Sequence, residues 1–250
     1  MKERPILFSA WMVRAILEGR KKQTRRVVKD QPPANCACLT QSTGKEYPDK
    51  LPRWAWTDGA TQDYAWHPWI GDEPAWQTCP FGVPGDRLWV RETAIISPKG
   101  FCGRSECEWT HEDVDGDVRV VQYLATQPNR DGANNYQLKA TPSIFMSRWA
   151  SRITLEITDV RVQRLQDISE EDAEAEGADS TKMTEQDIAE VYISDCAPYV
   201  KELAQILGPG EFMAKHEFAM IWDVINAKKH PWISNPWVWA IAFKRVEAAA

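Results

Sequence analysis

The sequence lacks any run of about 18 consecutive apolar residues, so we expect no transmembrane helix and no membrane partner. Its first residues, Met-Lys-Glu-Arg-Pro, lead directly into mixed sequence and do not form the apolar core of a signal peptide. Internal repeats and low-complexity segments are also missing. With a hydrophobic fraction of 43% and a charged fraction of 26%, these absences predict a cytoplasmic globular protein for which no obligate protein partner is inferred.

Cysteine is present six times, but without the C-x2-C spacing that is typical of zinc sites. One residue separates Cys36 from Cys38, and four residues separate Cys102 from Cys107, with His111 close behind. A cytoplasmic location would keep these thiols reduced, which argues against a disulfide framework. We therefore favour unligated thiols over a zinc site, and we expect neither a metal nor another cofactor.

An excess of positive charge is missing too, since the formal net charge is -6. This balance excludes a protein that coats duplex DNA through its overall charge. Positive charge is instead concentrated in one segment, because six of the ten residues from Arg20 to Lys29 are Lys or Arg. Such a segment suits a small site for something anionic or electron-rich, such as one nucleotide. It also suits a solvated surface that caps a helix C-terminus.

Regular structure is predicted on both sides of this basic segment. Residues 5–8 read as a strand, and Ser9 is a candidate N-cap for the helix that follows. Gly19 lies where a helix commonly ends in a left-handed residue. The basic segment then enters a strand at about Arg25. The apolar stripe of the helix consists of Met12, Val13, Ile16 and Leu17.

Two long insertions of loops and hairpins are expected, at about residues 30–80 and 95–148. Between them residues 87–92 alternate like a strand, with Leu88 and Val90 on the core face. The other face carries Arg87, Trp89 and Arg91. An indole between two guanidinium groups suits a base and a phosphate, and it suits a surface cation–π cluster equally well. The 13 tryptophans allow base stacking in the same way, although filling of a core poor in aliphatic residues is the simpler interpretation.

The sequence of the C-terminal half indicates the remaining elements of the core. Residues 152–165 alternate as a long strand, and Ser169 opens a short acidic helix that ends at Glu176 and Gly177. Helices are expected over about 184–227, and the apolar run over 237–243 indicates a buried closing strand. The best helical face consists of Phe218, Ile221, Trp222 and Ile225. These elements predict one α+β domain over residues 1–250, mainly β, built as a small β-barrel with helical decorations.

Four segments, in chain order, resemble the ASCH domain, a PUA-like β-barrel named after activating-signal-cointegrator homology. The N-terminal signature of that family resembles residues 16–26, ILEGRKKQTRR, and its Gly-Asp strand resembles residues 80–93, PFGVPGDRLWVRET. Its later strand and acidic helix resemble residues 153–177, ITLEITDVRVQRLQDISEEDAEAEG, and its last barrel strand resembles residues 235–246, NPWVWAIAFKRV. With its two long insertions, the chain most resembles the larger ASCH proteins of bacteriophages and prophages, which would place it in the host cytoplasm.

The resemblance implies a nucleic-acid or modified-nucleobase binding protein that recognises RNA or a modified pyrimidine. A small bacterial branch of the family hydrolyses N(4)-acetylcytidine, and its lysine, threonine and glutamate match Lys21, Thr24 and Glu176 here. Glu174 competes for the last role, because the acidic helix is variable. The chain departs from the family signature at Lys22, where the family has threonine, and this second ammonium favours a phosphate-bearing substrate. The nucleic-acid contacts implied or suggested are Arg20, Lys22, Arg25, Arg26, Trp89 and Arg91.

Amidohydrolase activity on an N-acylated cytosine is therefore the alternative to binding alone, with ribonuclease activity as a weaker alternative. Thr24 would attack the acyl carbonyl only if a neighbour took its proton, and Lys21 could do so only with a pKa well below about 10.4. The surrounding cations favour such a shift. Glu176 would donate a proton to the leaving amine if burial raised its pKa. Taken singly, each of these residues also fits an ordinary structural role.

Overall fold

The structure, a computed structural model, describes residues 1–29, 31, 38–42, 53–57, 78–97, 110–112, 118–127, 139–178 and 214–246. Within these residues the protein is an α+β structure with more strand than helix, as the sequence predicts. The strands are β1 (Glu3–Leu7), β2 (Gln23–Val27), β3 (Cys38–Ser42), β4 (Arg53–Thr57), β5 (Arg87–Arg91), β6 (Ala94–Ile96), β7 (Thr110–Glu112), β8 (Val118–Tyr123), β9 (Ala140–Thr141), β10 (Thr154–Arg164) and β11 (Trp237–Val246). The α-helices are α1 (Ala10–Leu17), α2 (Glu170–Ala175) and α3 (Ala214–Asn226).

The described strands form three sheets. The largest has the order β1-β5-β10-β11-β2, the second pairs β3 with β4, and the third has the order β7-β8-β6-β9. In the first sheet β1 runs parallel to β5, while the β5–β10 and β11–β2 pairs are antiparallel. Since β1 and β2 are edge strands of that sheet, the described strands do not close into a barrel.

The chain divides into two compact units. The first unit comprises Met1–Gly19, Pro84–Thr158 and Phe243–Ala250, and the second comprises Arg20–Val83 and Asp159–Ala242. The single-domain organisation predicted from the sequence stays a prediction.

The first unit is built around β5, whose Leu88 and Val90 are buried as the alternation predicts. Its buried Glu92 accepts two hydrogen bonds from the guanidinium group of Arg152, both at 2.9 Å. The same guanidinium lies 4.0 Å from the centre of the Tyr123 ring. A smaller apolar cluster packs beside these strands and consists of Ala94, Val121, Tyr123, Met146 and Ala150.

The second unit has a core in which α2 and α3 pack against the sheet strands. Trp232 is 1% exposed and its ring meets the ring of Phe218 edge-on, with 6.2 Å between the ring centres. Asp223 of α3 accepts a hydrogen bond from the backbone N–H of Trp232 at 2.6 Å, which ties the helix to the turn after it. The buried members of this core are Leu165, Ile168, Ala173, Ala178, Ala214, Phe218, Ala219, Met220, Trp222, Trp232 and Val238.

Local predictions near the N-terminus are confirmed with one correction. The strand, the helix and the left-handed Gly19, with φ of +76°, occur where the sequence predicts them. Ser9 does occupy the N-cap position of α1, but its side chain makes no capping hydrogen bond, so the predicted cap is wrong in its chemistry. Met12 and Leu17 are half-buried, whereas Val13 and Ile16 are buried.

Later elements also follow the sequence closely. The predicted long strand is β10, and the apolar run at 237–243 is buried apart from Ala242 within β11. One helical assignment is wrong: Ile225 is 48% exposed, although Phe218, Ile221 and Trp222 are buried. Ile225 lies in the last turn of α3, which ends at Asn226, and the preceding Val224 is 49% exposed as well, so burial of the helix ends within its last turn.

Several predictions fall outside the described residues. Most of the 30–80 insertion, residues 98–109, 113–117 and 128–138 of the 95–148 insertion, and residues 184–213 of the predicted helical stretch belong to this group. Cys36, Cys102 and Cys107 lie there as well. In the part of the chain that is described, no helix is long and apolar enough to cross a membrane.

Candidate functional site

The candidate site lies within the second unit, where the basic loop of residues 20–22 meets the C-terminal end of α2. Three donors of this loop bind three successive backbone carbonyl oxygens: Arg20 Nη1 to Gly177 O at 3.0 Å, Lys21 Nζ to Glu176 O at 2.7 Å, and the Lys22 backbone N–H to Ala175 O at 2.7 Å. Carbonyl groups at a helix end lack intrahelical donors and carry partial negative charge. Capping of α2 therefore accounts for part of the positive charge in the loop.

The short helix α2 forms because its start and its end are both encoded locally. Ser169 at the N-cap accepts a hydrogen bond from the backbone N–H of Asp172 at 3.2 Å, and the first turn is acidic, which suits the positive end of a helix. The helix stops at Glu176, and Gly177 follows with a φ of +93°, a conformation that glycine adopts without strain. These signals place Glu176 at the C-terminal end of α2.

Lys21 and Glu176 meet as a buried ion pair. Lys21 Nζ lies 2.6 Å from Glu176 Oε2, and the two side chains are 0% and 4% exposed. The residues are 155 positions apart in the chain. The structure thus brings together two of the three residues that the family resemblance implies for catalysis. The competing Glu174 is exposed on the outer side of α2.

The charge of Lys21 is destabilised at this position. Burial lowers the pKa of Lys21, the adjacent Glu176 carboxylate opposes this effect, and the positive charges of Arg26 and Arg25 lower the pKa further. The net direction is downward from the ordinary value for lysine. A lysine with a lowered pKa exchanges its proton closer to neutral pH, which a proton acceptor in catalysis requires.

Arg25 is a second buried cation that contacts the same carboxylate. Its guanidinium group donates to Glu176 Oε1 at 3.0 Å, to Asp172 Oδ2 at 2.7 Å and to Gln23 Oε1 at 2.6 Å. It also lies 5.6 Å from the centre of the Phe218 ring. Burial raises the pKa of Asp172, but Arg25 and Arg161 lower it by more, so the net shift is downward.

Thr24, the third residue implied for catalysis, lies in β2 and is 2% exposed. Successive side chains of a strand point to opposite faces, so Thr24 and Arg26 face away from Gln23 and Arg25. Thr24 pairs in register with Ile241 of β11. Because Lys21 precedes β2, the alternation of the strand does not determine on which face its side chain lies.

The basic residues of the loop and of β2 differ in their exposure. Lys22 is exposed, Arg20 and Arg26 are half-buried, and Arg25 is buried. Of these four residues, all predicted to contact nucleic acid, Lys22 is therefore the one whose charge is most accessible. A phosphate contact by Arg25 would require the loss of its bonds to two carboxylates, which is costly for a buried charge.

Trp89 and Arg91, the other predicted nucleic-acid contacts, belong to the first unit. The guanidinium carbon of Arg91 lies 5.1 Å from the centre of the Trp89 indole, and that of Arg148 lies 6.0 Å from it. Arg91 Nε also donates to the carbonyl of Met146 at 3.1 Å. The structure thus shows a cation–π cluster at Trp89 that consists of Arg91 and Arg148, whereas the sequence predicted Arg87 and Arg91 around this indole. The nucleic-acid role stays a prediction.

Arg25 was predicted from the sequence as a nucleic-acid contact, and Asp172 and Gln23 were not predicted as site residues. A signal for them was present: Asp172 and Glu176 are four residues apart on one helical face, and Gln23 and Arg25 share one face of a strand. The sequence alone did not indicate that this face of α2 packs against this face of β2.

No metal centre emerges among the residues that the structure covers, where no group of three or more His, Cys, Asp or Glu side chains could hold an ion. Cys38 lies in β3 and His111 lies in β7. The expectation of unligated thiols stays a prediction.

The N-cap of α2 supports a direct test of how the site is held. Ser169→Ala should lower the free energy of unfolding by about 1 kcal/mol, because it removes the cap of the helix that carries Glu176. Ser9→Ala is the matched control, since Ser9 occupies an N-cap position without a capping bond and should change stability by less than about 0.5 kcal/mol. Urea unfolding followed by circular dichroism measures both, and equal losses would contradict the assigned cap.

Comparison of the chain with protein-family models, curated proteins and solved structures gives no match.

Proposed function

We propose that this is an ASCH-type, PUA-like protein that recognises a modified pyrimidine, free or within RNA, at the cluster formed by Lys21, Arg25 and Glu176. The observation that carries the proposal is the buried contact of 2.6 Å between Lys21 Nζ and Glu176 Oε2. Soluble domains seldom bury charged residues unless they are paired, and strongly perturbed ionisable groups concentrate at functional sites. The proposal includes a PUA-like barrel and a location in the host cytoplasm if the gene is carried by a phage.

The cluster has the donors and acceptors that a pyrimidine edge requires. An ionised carboxylate offers about four acceptor positions, and Glu176 uses two of them for Lys21 and Arg25. The exocyclic amine of cytosine is a donor that fits such an acceptor, while its ring nitrogen and carbonyl oxygen are acceptors for a cationic donor. Recognition of one base in this way is compatible with an acidic protein, because it needs no extended basic surface.

Hydrolysis of an N-acylated cytosine is the second candidate, and the lowered pKa of Lys21 favours it. In this reaction Thr24 Oγ1 attacks the acyl carbonyl carbon while neutral Lys21 accepts the hydroxyl proton. The C–N4 bond then breaks, and the amine leaves with a proton supplied through the Lys21–Glu176 pair. Water hydrolyses the acyl-threonine ester and releases acetate, which restores the enzyme.

A contact between the loop and phosphate is testable at Lys22, which is exposed. Lys22→Ala should weaken binding of a short single-stranded RNA and reduce the slope of log K against log salt by about one unit, because one phosphate contact is lost. Lys228→Ala, at another exposed lysine of the same unit, should leave the slope unchanged. Fluorescence anisotropy over a salt series measures both variants. An RNA affinity that does not change with salt or with either substitution would rule out a phosphate contact by the loop.

A further inference from the structure

Arg25 has a position that neither phosphate binding nor proton transfer explains. Its side chain is 0% exposed, and three side-chain oxygens surround its guanidinium group within 3.0 Å. Two of these oxygens belong to carboxylates on one face of α2, at Asp172 and Glu176. The third belongs to Gln23, on the same face of β2 as Arg25. The arrangement joins a strand to a helix at one charged group.

We propose that Arg25 is a positioning residue that locks the Glu176 carboxylate in the orientation in which its other oxygen faces Lys21. Arg25 binds Oε1 and Lys21 binds Oε2, so the carboxylate is held at both oxygens. Rotation of the carboxylate about its terminal bond would break both contacts at once. This inference rests on the proposed site, for which it identifies the group that sets the geometry.

Asp172 is the anchor that keeps Arg25 in this orientation. It accepts from Arg25 Nη2 at 2.7 Å and from Gln23 Nε2 at 3.2 Å, and Gln23 Oε1 in turn accepts from Arg25 Nη1 at 2.6 Å. A planar guanidinium group can satisfy two carboxylates and an amide in one fixed geometry. A lysine ammonium at the same position would keep the positive charge but would lose the planar arrangement of N–H donors. Charge and geometry can therefore be separated by substitution.

The experiment compares Arg25→Lys with Arg25→Met in hydrolysis of N(4)-acetylcytidine. Both variants should lower kcat by about 10- to 100-fold with KM changed less than about threefold, since a misplaced catalytic group affects the chemical step. Arg161→Met is the control, because Arg161 also contacts Asp172 but is 44% exposed and does not contact Glu176; it should retain kcat within about twofold. Either Arg25 variant with the kcat of the wild type would overturn the positioning role.

A second readout follows the ammonium of Lys21 and does not require activity. Lys21 faces Glu176 from α2 and the cations Arg25 and Arg26 from β2, and the Arg25 charge contributes to its lowered pKa. Titration of the Lys21 ¹³Cε resonance by NMR should therefore move to higher pH in Arg25→Met and stay near the wild-type midpoint in Arg25→Lys. An unchanged midpoint in Arg25→Met would overturn the proposed contact.

The two readouts distinguish failure of this inference from failure of the proposed function. A wild-type protein that hydrolyses nothing would remove the enzyme hypothesis, while the shifted midpoint in Arg25→Met would still support the close approach of Arg25 to Lys21 that the positioning role requires. Asp172→Asn covers the case in which Arg25→Met does not fold, because it leaves Arg25 in place and weakens only its anchor. It should lower kcat in the same direction by a smaller factor, and a kcat equal to that of the wild type would contradict the anchoring role of Asp172.

Discussion

Thr24→Val is expected to reduce hydrolysis of N(4)-acetylcytidine by about 10³-fold or more, because it removes the hydroxyl that attacks the acyl carbon. Valine has nearly the shape of threonine and suits a strand equally well, so β2 and its pairing with β11 should be retained. The Lys21–Glu176 pair should also stay intact in this variant, because Thr24 takes no part in it. KM should change little, since the nucleophile acts in the transition state. Release of cytidine, followed by chromatography, measures the effect.

The matched control for this prediction is Lys22→Ala. Lys22 is a neighbouring cation of the same loop, but its side chain is exposed, so turnover of the free nucleoside should be retained within about twofold. The wild-type rate should rise with pH through the pKa of Lys21, because only the neutral amine accepts the hydroxyl proton. Full activity in Thr24→Val would exclude this threonine as the nucleophile.

Glu176→Leu is expected to lower the free energy of unfolding by about 3–5 kcal/mol, because it leaves two buried cations without their shared carboxylate. Lys21 can lose its proton in response, whereas Arg25 stays charged. Lys21→Met should cost less, since Arg25 still compensates the carboxylate. The double variant Lys21→Met/Glu176→Leu should therefore lose less stability than the sum of the single losses.

Urea unfolding of the four proteins in this cycle measures the coupling. Glu174→Leu is the control: this glutamate lies in the same helix but is exposed, and its replacement should change stability by no more than about 0.5 kcal/mol. Strictly additive losses at Lys21 and Glu176 would contradict a buried pair, and so would equal losses at Glu174 and Glu176.

Local signals in the sequence predicted the elements that carry the site. The N-cap serine, the acidic first turn and the glycine after Glu176 predict α2 without any knowledge of the rest of the fold. The alternation of residues 152–165 and the doubly apolar run at 237–243 likewise predict β10 and β11. In these segments short-range geometry and burial point to the same structure.

Contacts between elements that are far apart in the sequence could not be predicted from these local signals. Lys21 and Arg25 are basic residues of one short segment, and nothing local indicates that each meets a carboxylate about 150 residues away. The prediction for α3 was wrong at Ile225, because helical periodicity gives the spacing of an apolar stripe but not how far along the helix the core covers it. Closure of the predicted barrel depends in the same way on pairing between strands far apart in sequence.

The most direct measurement incubates the purified chain with N(4)-acetylcytidine and separates the products by chromatography, alongside Thr24→Val and Lys21→Met. The proposed enzyme releases equal amounts of cytidine and acetate, at a rate that rises with pH, and neither variant does so. A wild-type protein that neither turns over nor binds this nucleoside would contradict the proposed function. If the wild-type protein binds the nucleoside without turnover and Lys21→Met no longer binds it, the protein is a binding protein for modified pyrimidines, and the hydrolytic reaction is excluded.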